Sequence, residues 1–286
     1  MNDHIIFELS KRYPQLLLPL SRDTKDSEEY KAAVMRGEPL HRAPDFSFSP
    51  DDYLQVISTP AGDAEVLFLS NRSDYVHCVQ ALAYRCEPRD VPASIGANTV
   101  SGLINWEKIR KHRSAYLLSG GSDWPTEFRR FTQTKENYRD SLIILSSGEY
   151  SFVPAELTDF LPGQWKEISI TIRKYHELTH FVCRKLFPDR IDAVKDEVIA
   201  DLIGLIAATG EYDTRLARLF LGIEGDSYRW GSRLENYTSA EKLPTEVLRA
   251  NQLINEMAPK VTHIKSDDIF KVLLLLMSQG GGRDER

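Results

Sequence analysis

The sequence predicts an α+β fold, and three observations carry that prediction. Strand-like and helix-like patterns mix over roughly the first 160 residues. A long helical pattern then follows the turn Leu161-Pro162-Gly163. Beyond Gly210 only helical spacing is seen. Mixed elements followed by helices suit an α+β class better than alternating βα units. The expected division is residues 1–160, an α+β part, and residues 161–286, a helical part, together one catalytic unit.

The elements follow in chain order. Residues 1–50 are polar and broken by Pro14, Pro19, Pro39, Pro44 and Pro50, with one exposed helix expected over 23–36. Residues 64–70, Ala-Glu-Val-Leu-Phe-Leu-Ser, read as a strand, and 74–84 as a helix. A helix is expected over 100–112 and a strand over 114–119, before Gly120-Gly121. Trp106, Trp124, Phe128, Phe131 and Tyr138 suggest a small aromatic core under a long loop. The apolar run 141–146 is the best strand of the chain, with Tyr150 to Pro154 beyond it. Helical spacing then covers 165–187, 214–221, 245–257 and 267–278, and the Gly280-Gly281-Gly282 tail reads as disordered.

Composition excludes several function classes. The 286 residues are 42% hydrophobic and 27% charged, ordinary values for a globular chain with a substantial core. A net charge of −6 offers no basic surface for nucleic acid. The longest apolar run, 272–277, is far too short to span a bilayer. No positive-then-apolar leader opens the chain, and Cys78, Cys86 and Cys183 are odd in number. Those features favour a cytoplasmic protein without disulfides and without membrane partners. They leave the oligomeric state open.

One pentapeptide points to chemistry. His176-Glu177-Leu178-Thr179-His180 has the spacing H-E-x-x-H. Residues four apart on a helix lie one above the other, so both imidazoles can reach one tetrahedral ion at about 2.0–2.1 Å. Glu177 points about 100° away, where it serves better as a base for a metal-bound water than as a ligand. Chance alone would give the pattern in roughly one such chain per hundred, so its surroundings must decide. Within 165–187 the stripe Ile172, His176, Thr179, His180, Cys183 and Phe187 is largely apolar, while Lys166, Glu167, Arg173, Lys174, Arg184 and Lys185 fall opposite. The histidines therefore belong to a buried face.

A third ligand is available on the next helix. Glu197 comes 17 residues after His180 and shares a face with Asp201. Glu197 would complete a His₂Glu set and leave one position open, as catalytic zinc requires. Asp201 is the only charged residue from Val198 to Ala208, and it would hold the far nitrogen of a ligand histidine. Ala193, Ala200, Gly204 and Ala208 flank the Glu197 face and would let the two helices approach closely. Cys183 could replace Glu197 as ligand, but packing is its expected role.

His176-Glu177-Leu178-Thr179-His180 followed by Glu197-Val198-Ile199-Ala200-Asp201 resembles the gluzincin, thermolysin-like metallopeptidases, over about residues 165–210. The resemblance implies a zincin-like fold, with His176, His180 and Glu197 as Zn²⁺ ligands, Glu177 as general base and Asp201 behind a ligand. It also implies a strand about 30 residues upstream, at 142–145, whose free edge would bind an extended peptide substrate; a central core strand is the alternative there. An electrophilic donor facing the developing oxyanion would come from the C-terminal part, where Tyr212, Tyr228 and His263 are candidates. The expected function is a zinc metallopeptidase acting on a peptide or protein. The alternatives are a zinc amidase acting on a small molecule, or a binding protein in which zinc only ties two helices together.

Overall fold

The computed structural model describes residues 4–188, 192–225, 227–261 and 269–279, and it is an α+β protein with a mixed sheet. Its elements group into two compact units: residues 1–56 with 65–146, and residues 57–64 with 147–286. Residues 147–160 thus group with the helical part, although the sequence placed that boundary at 160. Local bonds explain the difference. The Tyr150 amide donates to Ser169 Oγ, and Trp165 Nε1 donates to the Val153 carbonyl, which ties this segment to the long helix that follows it.

Most of a sheet of order β1-β2-β4-β3, comprising β1 (Tyr53–Thr59), β2 (Gly62–Leu69), β3 (Ala97–Ile104) and β4 (Arg139–Ser146), belongs to the first unit. β2 pairs in parallel with β4, Glu65 opposite Leu142. β3 pairs antiparallel with β4, and the register slips between Ser101 and Leu103, where Gly102 takes a φ of +76°. A bulge of this kind favours glycine because a β-carbon is strained at positive φ. One sheet face presents Leu67, Leu69, Leu142 and Ile144. They share a core with Ile6 and Leu9 of α1 (Ile5–Arg12), Tyr13, Leu16, and Tyr75, Cys78 and Val79 of α3 (Arg72–Leu82).

Several expectations need correcting. β4 has neighbours on both sides, so residues 142–145 form a central core strand and not a substrate-binding edge. Residues 114–119 are not a strand; they end α4 (Trp106–Leu118), which Asn105 caps through Oδ1 and the Lys108 amide. Most of that helix is solvated, and Leu118 is 89% exposed. Its two leucines therefore mimicked a strand without facing a core. The same cap splits the expected helix over 100–112 into the end of β3 and the start of α4. The helix expected at 23–36 is shorter: a turn at Thr24–Asp26, then α2 (Glu28–Tyr30) running into a wider π turn, with Tyr30, Ala33 and Val34 buried. Trp106, Trp124, Phe128 and Phe131 lie on α4 and α5 (Trp124–Phe131), helices rather than a long loop, with Phe131 stacked on His112 at 4.1 Å, while Tyr138 ends a short turn just before β4.

The second unit contains α6 (Pro162–Leu186), α7 (Ala193–Thr209), α8 (Thr214–Leu221), α9 (Leu243–Val261) and α10 (Ile269–Gln279). A two-stranded ribbon, Ile223–Glu224 with Ser227–Tyr228, interrupts the helices-only pattern expected beyond Gly210. α6 starts with Pro162 in its first turn and with Gln164 Oε1 accepting from the Leu161 amide. α7 starts on an Asp192 cap and stops at Gly210, whose φ is +83°. Val194 and every residue from Glu197 to Ile206 are buried. α6 and α7 pack directly against one another, and Gly204 lets them approach closely. A β-carbon there would sit 2.7 Å from the Ile172 carbonyl oxygen. The Gly280 tail lies outside the described residues, and no described helix is long and apolar enough to cross a membrane.

Candidate metal centre

α6 and α7 bring three side chains to one point. His176 and His180 project from α6 and Glu197 from α7, and all three are at most 6% exposed. His176 Nε2 lies 3.4 Å from Glu197 Oε2, and His180 Nε2 lies 3.2 Å from Glu197 Oε1. The two Nε2 atoms are 3.0 Å apart, with rings nearly perpendicular at 87°. Two ligands held about 2.0–2.1 Å from a tetrahedral ion stand about 3.3–3.4 Å apart. The three separations are close to that edge length.

The far side of each imidazole is taken. His176 Nδ1 lies 3.0 Å from Asp201 Oδ1, and His180 Nδ1 lies 2.7 Å from Asp196 Oδ2. A carboxylate only accepts, so each Nδ1 carries a hydrogen, and in the neutral form that binds a metal each ring turns an Nε2 lone pair inward. Two lone pairs and a carboxylate then converge on one buried spot. Such an arrangement is costly unless a cation sits among them. Glu197 Oε2 also has no hydrogen-bond partner among the described residues.

Charge counting points the same way. Asp196, Glu197 and Asp201 are held in this cluster, and among the described residues the guanidinium ion-paired to them is that of Arg233, which contacts both Asp201 and Glu197. With both histidines neutral, as metal ligation requires, two negative charges stay uncompensated, which is what a divalent cation would neutralise. The same excess acts on His180. Burial disfavours its charged form, but hydrogen bonds and the charges of Asp196 and Glu197 outweigh burial and push its pKa up to about 10. Glu197 moves the other way: burial opposes its ionisation, yet His176, His180 and Arg233 hold its pKa far below the usual carboxylate range. These residues therefore fit a divalent metal, with His176, His180 and Glu197 as its holders.

Other anticipated residues are placed less centrally. Glu177 is half-buried on α6, one residue beyond His176. The Tyr212 hydroxyl is buried without a hydrogen-bond partner among the described residues, and burial together with the Asp201 charge raises its pKa. The Tyr228 hydroxyl donates to the Ser232 carbonyl at 2.8 Å, a local turn contact. His263 lies outside the described residues. Cys183 is buried and stands outside the ligand group; burial, then the charge of Asp196, pushes its thiol pKa up to about 12.

Three participants were not foreseen. Asp196 directly precedes Glu197 on α7, and it holds His180 Nδ1. Tyr150, buried ahead of α6, donates to Asp201 Oδ1 at 2.7 Å. Arg233, from a turn after the ribbon, donates to the Tyr150 oxygen at 2.7 Å and bonds Asp201 Oδ2. Local sequence carries little sign of either. Tyr150 stood in an apolar stretch that read as more sheet, and Arg233 stands in a polar turn.

The family model that matches this chain spans residues 3–271 and describes a family of unknown function, DUF7005. The chain belongs to that family. No curated protein and no solved structure matches it. The DUF7005 span includes every residue of the cluster, from Tyr150 to Arg233.

Proposed function

We propose that this protein is a zinc-dependent hydrolase with a zincin-like active site, acting on peptide bonds. One observation carries the reading: two imidazole Nε2 atoms and the Glu197 carboxylate converge on a single buried point, with both opposite nitrogens held by aspartates. His176, His180 and Glu197 hold the metal. Bound zinc supplies Lewis acidity, lowering the pKa of water and polarising a carbonyl.

The chain's own residues do the rest. Among the described residues the ligand group has three members and no fourth, which favours a catalytic over a closed structural site. Glu177 takes a proton from the attacking water and passes it to the leaving amine. Tyr212, whose phenol has no partner among the described residues, donates a hydrogen bond to the oxyanion as it forms. Asp201 and Asp196 hold the imidazoles in the tautomer that presents Nε2.

Metal analysis of protein purified without added zinc tests the reading. We expect close to one equivalent of a divalent transition metal. Less than about a tenth of an equivalent, after zinc has been added back and excess removed, overturns it.

A further inference from the structure

The Tyr150–Arg233 pair behind Asp201 has no place in the scheme above, and its geometry gives it one. We infer that Tyr150, held by Arg233, is a positioning residue that locks His176 in its Nδ1–H tautomer and thereby sets metal affinity. The inference rests on the metal reading for its consequence, but the lock itself concerns only the protein's own hydrogens.

The hydrogens can be followed one at a time. Arg233 has only donors, so its contact with the Tyr150 oxygen uses that oxygen as acceptor. The Tyr150 hydrogen is then directed to Asp201 Oδ1. Asp201 Oδ2 is taken by Arg233. Asp201 is thereby fixed at both oxygens, with Oδ1 presented to His176 Nδ1 at 3.0 Å and the Tyr150 oxygen 2.8 Å from the same nitrogen. Both atoms facing Nδ1 are oxygens, and the tyrosine hydrogen is already committed. The imidazole hydrogen must lie on Nδ1, and the lone pair must lie on Nε2, towards Glu197. An Asp201 free to rotate would not impose that choice, and an Nε2–H imidazole cannot ligate a metal through Nε2.

The backbone that carries Tyr150 is built for precision rather than ease. Ser151 and Phe152, the two residues after it, both adopt left-handed conformations, with φ of 53° and 56°. Side chains other than glycine adopt that region at a cost, and such strain persists only where surroundings over-determine it. The surroundings here do. The Tyr150 amide donates to Ser169 Oγ at 3.0 Å, and Ser151 Oγ donates to the Phe220 carbonyl at 2.6 Å. The Tyr150 ring meets Phe220 edge-on at 4.8 Å, and the Arg173 and Arg233 guanidiniums each lie over it at 5.8 Å or less.

Tyr150→Phe in the full-length protein is the test, with two readouts. Nitrogen-15 NMR of the imidazole rings in metal-free protein should show His176 as Nδ1–H in wild type and as a tautomer mixture in the variant. Zinc titration should give a Kd about 10- to 100-fold weaker, with the metal-free melting temperature within a few degrees of wild type. Arg233→Gln should shift the same two readouts in the same direction. A wild-type tautomer pattern in Tyr150→Phe, or an unchanged zinc Kd, overturns the inference while leaving the metal site standing. A wild type that binds no zinc overturns the metal reading and the affinity claim together, and the NMR result then decides the lock alone.

Discussion

Gly204 lies so close to Ile172 that a β-carbon built on it would stand 2.7 Å from the Ile172 carbonyl oxygen and 3.0 Å from Ile172 Cγ2. Ile172 is one helical turn before His176, and Gly204 is two turns after Glu197. The glycine is what lets the His-bearing and Glu-bearing helices close on one another. Gly204→Ala should force them apart, costing about 1–3 kcal/mol of stability and lowering the melting temperature by several degrees. Zinc affinity should fall with it, because both ligand sets move. A variant with wild-type melting temperature and zinc Kd would show that this contact does not set the helix spacing.

Glu177 is the proposed base and not a ligand. Glu177→Gln should therefore retain zinc at the wild-type Kd while peptide hydrolysis falls by about 100- to 10,000-fold. Hydrolysis of a quenched fluorescent peptide mixture, run alongside a zinc titration, reads both quantities. Wild-type turnover in this variant would remove Glu177 from the mechanism.

Metal binding should release a proton at neutral pH. His180 has a pKa raised to about 10 in the metal-free fold, against about 6.5 when unfolded. The proton's stabilising contribution is thus complete below about pH 6.5 and is lost as pH rises through about 10. Zinc needs the neutral imidazole, so it displaces that proton. From pH 7 to 9 the zinc Kd should fall about tenfold per pH unit. Calorimetry in two buffers of different ionisation enthalpy should find about one proton released per metal at pH 7.5. A pH-independent Kd over that range would contradict this account.

Tyr212 is the candidate donor whose hydroxyl has no hydrogen-bond partner among the described residues, whereas that of Tyr228 is spent on the Ser232 carbonyl. Tyr212→Phe should lower kcat by about 100-fold or more, with zinc Kd unchanged. Tyr228→Phe should leave kcat near wild type. Equal effects from the two variants would discard the distinction.

The sequence by itself grouped His176, His180, Glu197 and Asp201 as the candidate site. Both His176/His180 and Glu197/Asp201 repeat at the four-residue helical interval, and local periodicity fixes which residues share a helix face. The bare apolar run around Asp201 likewise announced a buried carboxylate in need of partners, and the small Gly204 announced a close approach. Tertiary structure alone decided which partners those are. Tyr150 and Arg233 stand 51 and 32 residues from Asp201 and reach it from a strained turn and a polar loop, where no periodic pattern marks a buried face. It also decided that β4 is a central strand, because neighbour order in a sheet depends on pairing between distant segments. The leucines of α4 were misread for the complementary reason: their short apolar run suited a strand, and only the absence of a core against them shows a solvated helix. Spacing along one chain segment is written in the residues, while the other side of each contact is supplied by the fold.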